Sequence, residues 1–205
     1  MIIRELELVE EVSSQLGKSV TIFGSARIRP DNPVFQLARQ VAYELATSGY
    51  TVISGGGPGI MRAASEGARE AGGPAVGFNI SLPFEPPNIG LQDVSLTFDN
   101  FFTRKLAFAR CSHGFIAMPG GMGTLDELFD ILTLIQTQKL KPRPIALVGS
   151  DFWVGLLSWM REQLVLRGLV SAEEVDAIGV FDTAQQVCTF FQSEAQVTER
   201  LCHSV

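Results

Sequence analysis

Short apolar runs ending at or beside glycine alternate along this chain with longer stretches whose apolar residues recur at helical spacing. The runs are SVTIFG (19–24), YTVISGGG (50–57), PAVGFN (74–79), GFIAMPGG (114–121) and RPIALVG (143–149). They are too short for helices and apolar throughout, as strands covered on both faces are. Helical periodicity predicts helices over 2–16, 33–48, 58–71, 100–112, 124–138, 152–167 and 183–193. Segment 80–98 holds three of the ten prolines and no helical period, so it reads as a loop leading to a short strand around Ser95 to Phe98. Strands alternating with helices predict an α/β fold: a Rossmann-like, doubly wound, mainly parallel sheet with helices on both faces. The pattern shows no internal repeat or linker. It predicts a single domain, with an N-terminal helix over 1–17, a core over 18–182, and a C-terminal helix over 183–193 followed by a tail.

Composition agrees with a folded unit: 205 residues, 46% hydrophobic and 19% charged, suffice for one core. The three cysteines, Cys111, Cys188 and Cys202, are widely spaced without a C-x-x-C pair, which suggests neither a disulfide framework nor a zinc cage and points to the cytoplasm. The first eleven residues carry five charges and no apolar h-region, so the N-terminus reads as a helix and not as a signal peptide. No apolar run approaches the roughly 18 residues of a membrane span.

Charge placement narrows the choice of partner. The net charge of −6 disfavours general nucleic-acid binding, which rests on Lys and Arg neutralising phosphates. Yet no Asp or Glu occurs between Glu11 and Asp31, between Glu44 and Glu66, or between Asp99 and Asp126. Those windows hold Lys18, Arg27, Arg29, Arg62, Arg104, Lys105 and Arg110, and they contain or adjoin the glycine-rich turns. Clearing carboxylates from such segments suits a small anionic ligand.

The run Ser54-Gly55-Gly56-Gly57-Pro58-Gly59 leaves a strand and opens a helix, where main-chain N–H groups can face a phosphate. It is neither G-x-G-x-x-G nor a Walker A sequence. Pro119-Gly120-Gly121-Met122-Gly123-Thr124 repeats the arrangement, and Gly24-Ser25 is a third turn of the kind. Two such turns at strand ends suit a crevice where the strand order reverses. Thr124-Leu125-Asp126-Glu127 also fits a capping box, as does Ser171-Ala172-Glu173-Glu174, so Glu127 can be a helix cap or a catalytic carboxylate one turn from the anion site. Arg104 has no acid three or four residues away, so it either snorkels to water or finds an anion elsewhere; Lys105 poses the same choice. His113, near a helix end, reads as a cationic cap, and nothing has metal-ligand spacing, so no metal and no cofactor is expected.

Together FGSAR (23–27), SGGGPGIM (54–61), FFTRK (101–105) and PGGMGTLDE (119–127) resemble the LONELY GUY family of cytokinin riboside 5′-monophosphate phosphoribohydrolases, whose members have also carried a lysine decarboxylase label. The resemblance covers about residues 18–182. It implies catalytic Arg104 and Glu127. It places Gly120, Gly121, Gly123 and Thr124 at the phosphate, with Gly24, Ser25, Gly55, Gly56, Gly57, Gly59, Lys105 and Pro119 completing the pocket. Asn79, Glu85, Asn88 and Met118 are further candidates. Phe101-Phe102-Thr103 in place of the plant-type Met-His, with Leu82-Pro83-Phe84-Glu85 and Asn88, looks like the bacterial subgroup and favours AMP or another purine monophosphate over a true cytokinin. The resemblance also implies a homodimer or higher homo-oligomer, which the apolar breadth of helix 124–138 supports. A related branch resembles molybdenum-cofactor carriers, which makes a non-catalytic carrier the alternative. The decarboxylase label instead needs a Schiff-base lysine from among Lys18, Lys105, Lys139 and Lys141.

Overall fold

In the computed structural model, which describes residues 2–81 and 89–202 and the side chains of these up to residue 194, the strand β1 (Ser19–Phe23) is buried along its whole length. Val20 and Ile22 face one layer of the core and Phe23 faces the other. Such a strand needs a covered neighbour on each side. It pairs in parallel with β2 (Thr51–Ser54) and with β5 (Phe115–Ala117). Outward from β2 lie β3 (Ala75–Ile80) and β4 (Val94–Phe98); outward from β5 lie β6 (Ile145–Val148) and β7 (Ile178–Phe181). The order is β4-β3-β2-β1-β5-β6-β7, and every pair is parallel. The chain winds to one edge, returns to the centre and winds to the other, so turns leaving β1 and β5 diverge and open a crevice between them.

Helices cover both faces. On one lie α2 (Pro33–Thr47), α3 (Ile60–Glu70) and α8 (Ala184–Cys202), burying Phe35, Val41, Leu45, Ala64, Val187 and Phe191. Asn32 caps α2 by accepting the Val34 N–H at 2.8 Å, with Pro33 in the first helical turn. On the other face lie α1 (Ile2–Gln15), α4 (Phe101–Cys111), α5 (Met122–Gln136) and α6 (Ser150–Trp159), burying Val9, Phe108, Leu128, Ile131 and Trp153. Phe23 joins sheet to helix there, edge-on to Phe108 at 5.1 Å and stacked on Phe115 at 6.2 Å. Among the described residues no helix is long and apolar enough to cross a membrane.

The structure departs from the sequence pattern in four places. Strand β7 and the short α7 (Ala172–Asp176) add to the predicted elements. β7 is an edge strand whose Gly179 and exposed Val180 break the apolar run that marks inner strands. The predicted 152–167 helix is α6 followed by a π-helical turn over Met160–Val165, and α8 runs on past 193. The glycine turns also meet their helices differently, because α3 starts at Ile60 and α5 already at Met122.

Gly59 combines a positive φ with close backbone packing. Its φ is +64°, and a Cβ there would overlap the backbone of Ser25 and Ala26. The Gly59→Ala substitution is expected to cost about 2–4 kcal/mol, combining left-handed strain with overpacking. Urea unfolding of the variant checks this.

Candidate active site

The turn after β1 lies between the two glycine turns and is bonded to both. The Ser25 N–H donates to Pro119 O at 3.2 Å, and the Ile60 N–H donates to Ser25 O at 3.0 Å. The three turns and the end of β3 enclose an open cleft of about 590 Å³ at the carboxyl ends of the central strands. The glycines around it do two kinds of work. A Cβ on Gly24 would strike Ile60, one on Gly56 would strike Asn79, and one on Gly120 would strike Thr124, so these permit close packing behind the cleft. Gly121 and Gly123 meet nothing within 4 Å and line the cleft itself. Gly121 is the N-cap of α5, and the Met122 and Gly123 N–H groups make no hydrogen bond among the described residues. They are the orphan donors of a helix start, at its positive end, beside open space: a seat for an anion.

Against that seat stands an ion pair. Arg104, on α4, donates from Nη2 to Oε1 of Glu127, on α5, at 3.0 Å, with the two side chains only 13% and 7% exposed. The Phe101 and Phe108 rings lie 5.3 and 5.6 Å from the guanidinium. Arg104 Nε is buried without a hydrogen-bond partner among the described residues. Glu127 lies in the second turn of α5, too far along to cap it, whereas Ser171 and Glu174 do form a capping box. Burial pushes the Glu127 carboxyl above its ordinary pKa, against the opposing pull of Arg104 and Lys105. A nearly dry carboxylate held by one arginine is a stronger base than one in water.

The structure brings Gly24, Ser25, Gly55, Gly57, Asn79, Arg104, Gly121, Gly123, Thr124 and Glu127 to the cleft. Gly56, Gly59, Pro119 and Gly120 lie behind it, and Met118 is wholly buried in the core. Asn79 is structural as much as exposed to the site, since its amide bonds Gln92, Ser95 and Leu96 O. Lys105 departs from the expectation: its ammonium pairs with Asp126 at 2.8 Å and Asp130 at 3.8 Å, and it does not line the cleft. Asp126 and Asp130, four residues apart on α5, draw it away from the cleft. His113 is not a cationic cap either. Its Nδ1 accepts the Ser19 N–H at 3.2 Å, and burial, with Arg143 and Lys18 nearby, lowers its pKa. Glu85 and Asn88 lie outside the described residues.

Some lining residues had no role in the sequence reading. Arg27 is exposed at the cleft and pairs with no carboxylate among the described residues; its place in an acid-free window was the available signal. Met61, Phe101, Phe108 and Met122 make an apolar wall, which helical periodicity alone does not separate from core. None of Lys18, Lys105, Lys139 and Lys141 lines the cleft, so no amine is placed to hold pyridoxal phosphate as a Schiff base there. Among the described residues no group of three or more His, Cys, Asp or Glu could hold a metal ion.

The family model described as possible lysine decarboxylase matches residues 61–191. The chain belongs to that family. It is 33% identical over 158 residues to the cytokinin riboside 5′-monophosphate phosphoribohydrolase of Mycobacterium tuberculosis, covering 74% of this chain and 82% of that protein. It is 31% identical over 153 residues to a probable enzyme of the same name from Oryza sativa, covering 73% of this chain and 72% of that one. The fold is shared with the molybdenum cofactor binding protein of Rippkaea orientalis, at a TM-score of 0.62, 21% identity and coverage of 85% and 94%. It is shared equally with the molybdenum cofactor carrier protein of Chlamydomonas reinhardtii, at a TM-score of 0.62, 20% identity and coverage of 87% and 98%.

A reaction that needs ionised Glu127 loses rate as pH falls through a pKa raised above the usual carboxylate range. In a kcat/KM against pH profile the acid limb is expected there, and Lys105→Met is expected to move it higher by removing a charge that favours the anion. A limb that does not move contradicts the electrostatic assignment.

Proposed function

We propose that this chain hydrolyses the N-glycosidic bond of a purine nucleoside 5′-monophosphate, AMP or a cytokinin riboside 5′-monophosphate, giving free base and ribose 5-phosphate. The observation that carries the reading is the buried Arg104–Glu127 pair beside the open N-terminus of α5. Relatives named as phosphoribohydrolases, at 33% and 31% identity, support it.

In this reading the 5′-phosphate rests on the Met122 and Gly123 amides, with the Thr124 hydroxyl and Arg27 beside it. Ser25 and the Gly55–Gly57 turn close the pocket around the nucleotide. Binding the phosphate remotely fixes the sugar, so binding energy is used for orientation. Cleavage breaks the bond from C1′ to the base nitrogen and develops positive charge on the ring oxygen and C1′. Glu127 stabilises that charge and accepts the proton of the water that adds to C1′. Arg104 holds the carboxylate ionised and aimed; the departing base nitrogen takes up a proton from solvent, and Glu127 returns the proton it accepted to solvent, which restores the starting state. The apolar wall of Met61, Phe101, Phe108 and Met122 provides a surface for the base and keeps water from competing elsewhere in the cleft.

Lysine decarboxylation is not part of this proposal, because the lysines stand away from the cleft. The molybdenum cofactor carriers share the fold with this chain at 20–21% identity, and the buried Arg104–Glu127 pair beside the cleft favours the enzyme reading over a carrier. We infer a homodimer as the working unit. Phe101, Phe102 and Met122 are 52%, 57% and 84% exposed beside the cleft, an apolar patch that suits cover by a second subunit.

Incubation with a panel of nucleoside 5′-monophosphates and their parent nucleosides tests the reaction. Release of base and ribose 5-phosphate from the monophosphates alone is expected, and Glu127→Ala is expected to lose about 10²–10⁴ in kcat while still binding AMP. Near-normal turnover in that variant overturns the role given to Glu127. Light scattering is expected to give about twice the 22.3 kDa chain mass, and a monomer at micromolar concentration contradicts the dimer.

A further inference from the structure

One buried carboxylate is not used by the reaction described above. Glu5, on α1, is 6% exposed, although its neighbours Arg4 and Leu6 are exposed. Its Oε1 accepts the Asp99 N–H at 2.8 Å. Its Oε2 accepts the Asn100 side-chain amide at 3.4 Å and the Thr103 hydroxyl. These donors surround the start of α4, the helix that carries Arg104. The residue in the N-cap position of α4, Asn100, makes no side-chain cap of its own. A helix start that lacks its own cap is a positive dipole end, and an anion brought there from another helix complements it while bonding the Asp99 N–H, the Asn100 side chain and the Thr103 hydroxyl around it. Burial pushes the Glu5 carboxyl up, but the bonds from Thr103, Asp99 and Asn100 together outweigh it and hold its pKa below the ordinary value.

The chain of contacts continues to the reacting groups. Thr103 precedes Arg104, and the Arg104 N–H donates to Asn100 O at 3.2 Å. Glu5 therefore grips the first turn of α4 from behind, while the Arg104 side chain on that turn reaches Glu127 on the cleft side. We propose that Glu5 is a positioning residue, an anionic anchor supplied by α1 that fixes the start of α4 through Asp99, Asn100 and Thr103 and so aims the Arg104 guanidinium at Glu127. The inference rests on the phosphoribohydrolase reading, and it gives α1, which precedes the stretch matched to the family model, a part in the reaction.

Three variants test it: Glu5→Ala, Glu5→Gln, which keeps one acceptor oxygen, and Val9→Ala, which removes core contacts from the same face of α1. Melting temperature, kcat and KM with AMP are measured for each. Glu5→Ala is expected to lower kcat roughly 10-fold with KM within about twofold, since small misplacements of catalytic groups cost rate more than binding. Glu5→Gln is expected to fall between it and the parent, and Val9→Ala to melt lower with kcat unchanged. An unchanged kcat in Glu5→Ala, or an equal loss in Val9→Ala, overturns the inference. If the parent protein releases no base, the function reading fails separately, and amide exchange then decides. Exchange over residues 101–106 is expected to quicken about 10-fold or more in Glu5→Ala and not in Val9→Ala, as loss of the anchor frees the first turn; equal exchange in the two variants overturns the inference.

Discussion

The ion pair between Arg104 and Glu127 is the constraint around which the cleft is arranged. Two opposite charges almost out of water are stable only together, because removing either partner leaves an uncompensated buried charge at a cost of about 3–5 kcal/mol. The pair spans two helices that follow different strands, α4 after β4 and α5 after β5, so its 3.0 Å contact registers one side of the sheet against the centre. The same burial that makes the pair costly raises the Glu127 pKa, which makes its carboxylate a stronger base than one in water.

The sheet brings the anion seat to this pair. Reversal of strand order between β1 and β5 leaves the crevice, and the loop hydrogen bonds of Ser25 to Pro119 and Ile60 draw three turns around it. Gly24, Gly56, Gly59 and Gly120 allow that approach, while Gly121 and Gly123 leave main-chain donors uncovered. A phosphate bound at the start of α5 would sit two helical turns or less from the Glu127 backbone, so in the proposed reaction one helix presents both the anchor and the base. In the proposed arrangement Glu5 holds the start of α4 from α1.

Much of the fold was legible in the chain. Inner strands are covered on both faces, so they read as unbroken apolar runs, and parallel pairing followed from their alternation with helices. β7 escaped notice because an edge strand half-open to solvent has no such run. In the site, the glycine turns were legible as turns, but which glycines face the ligand and which only admit a neighbour depends on atoms far along the chain. Thr124-Leu-Asp-Glu127 satisfied the capping pattern equally well, and only the helix starting at Met122 excludes it. Lys105 and Arg104 looked alike by spacing; the acids Asp126 and Asp130 take the first and Glu127 takes the second, across 21 to 25 positions of chain. Glu5 bonds groups 94 to 98 residues away, beyond the reach of any local pattern.

A crystal structure of the Glu127→Gln protein soaked with AMP decides where the phosphate and the sugar lie. Phosphate oxygens are expected within hydrogen-bond reach of the Met122 and Gly123 amides, with C1′ beside the residue 127 side chain and room for one water. A nucleotide whose phosphate lies away from the start of α5, or whose C1′ faces a different carboxylate, contradicts it.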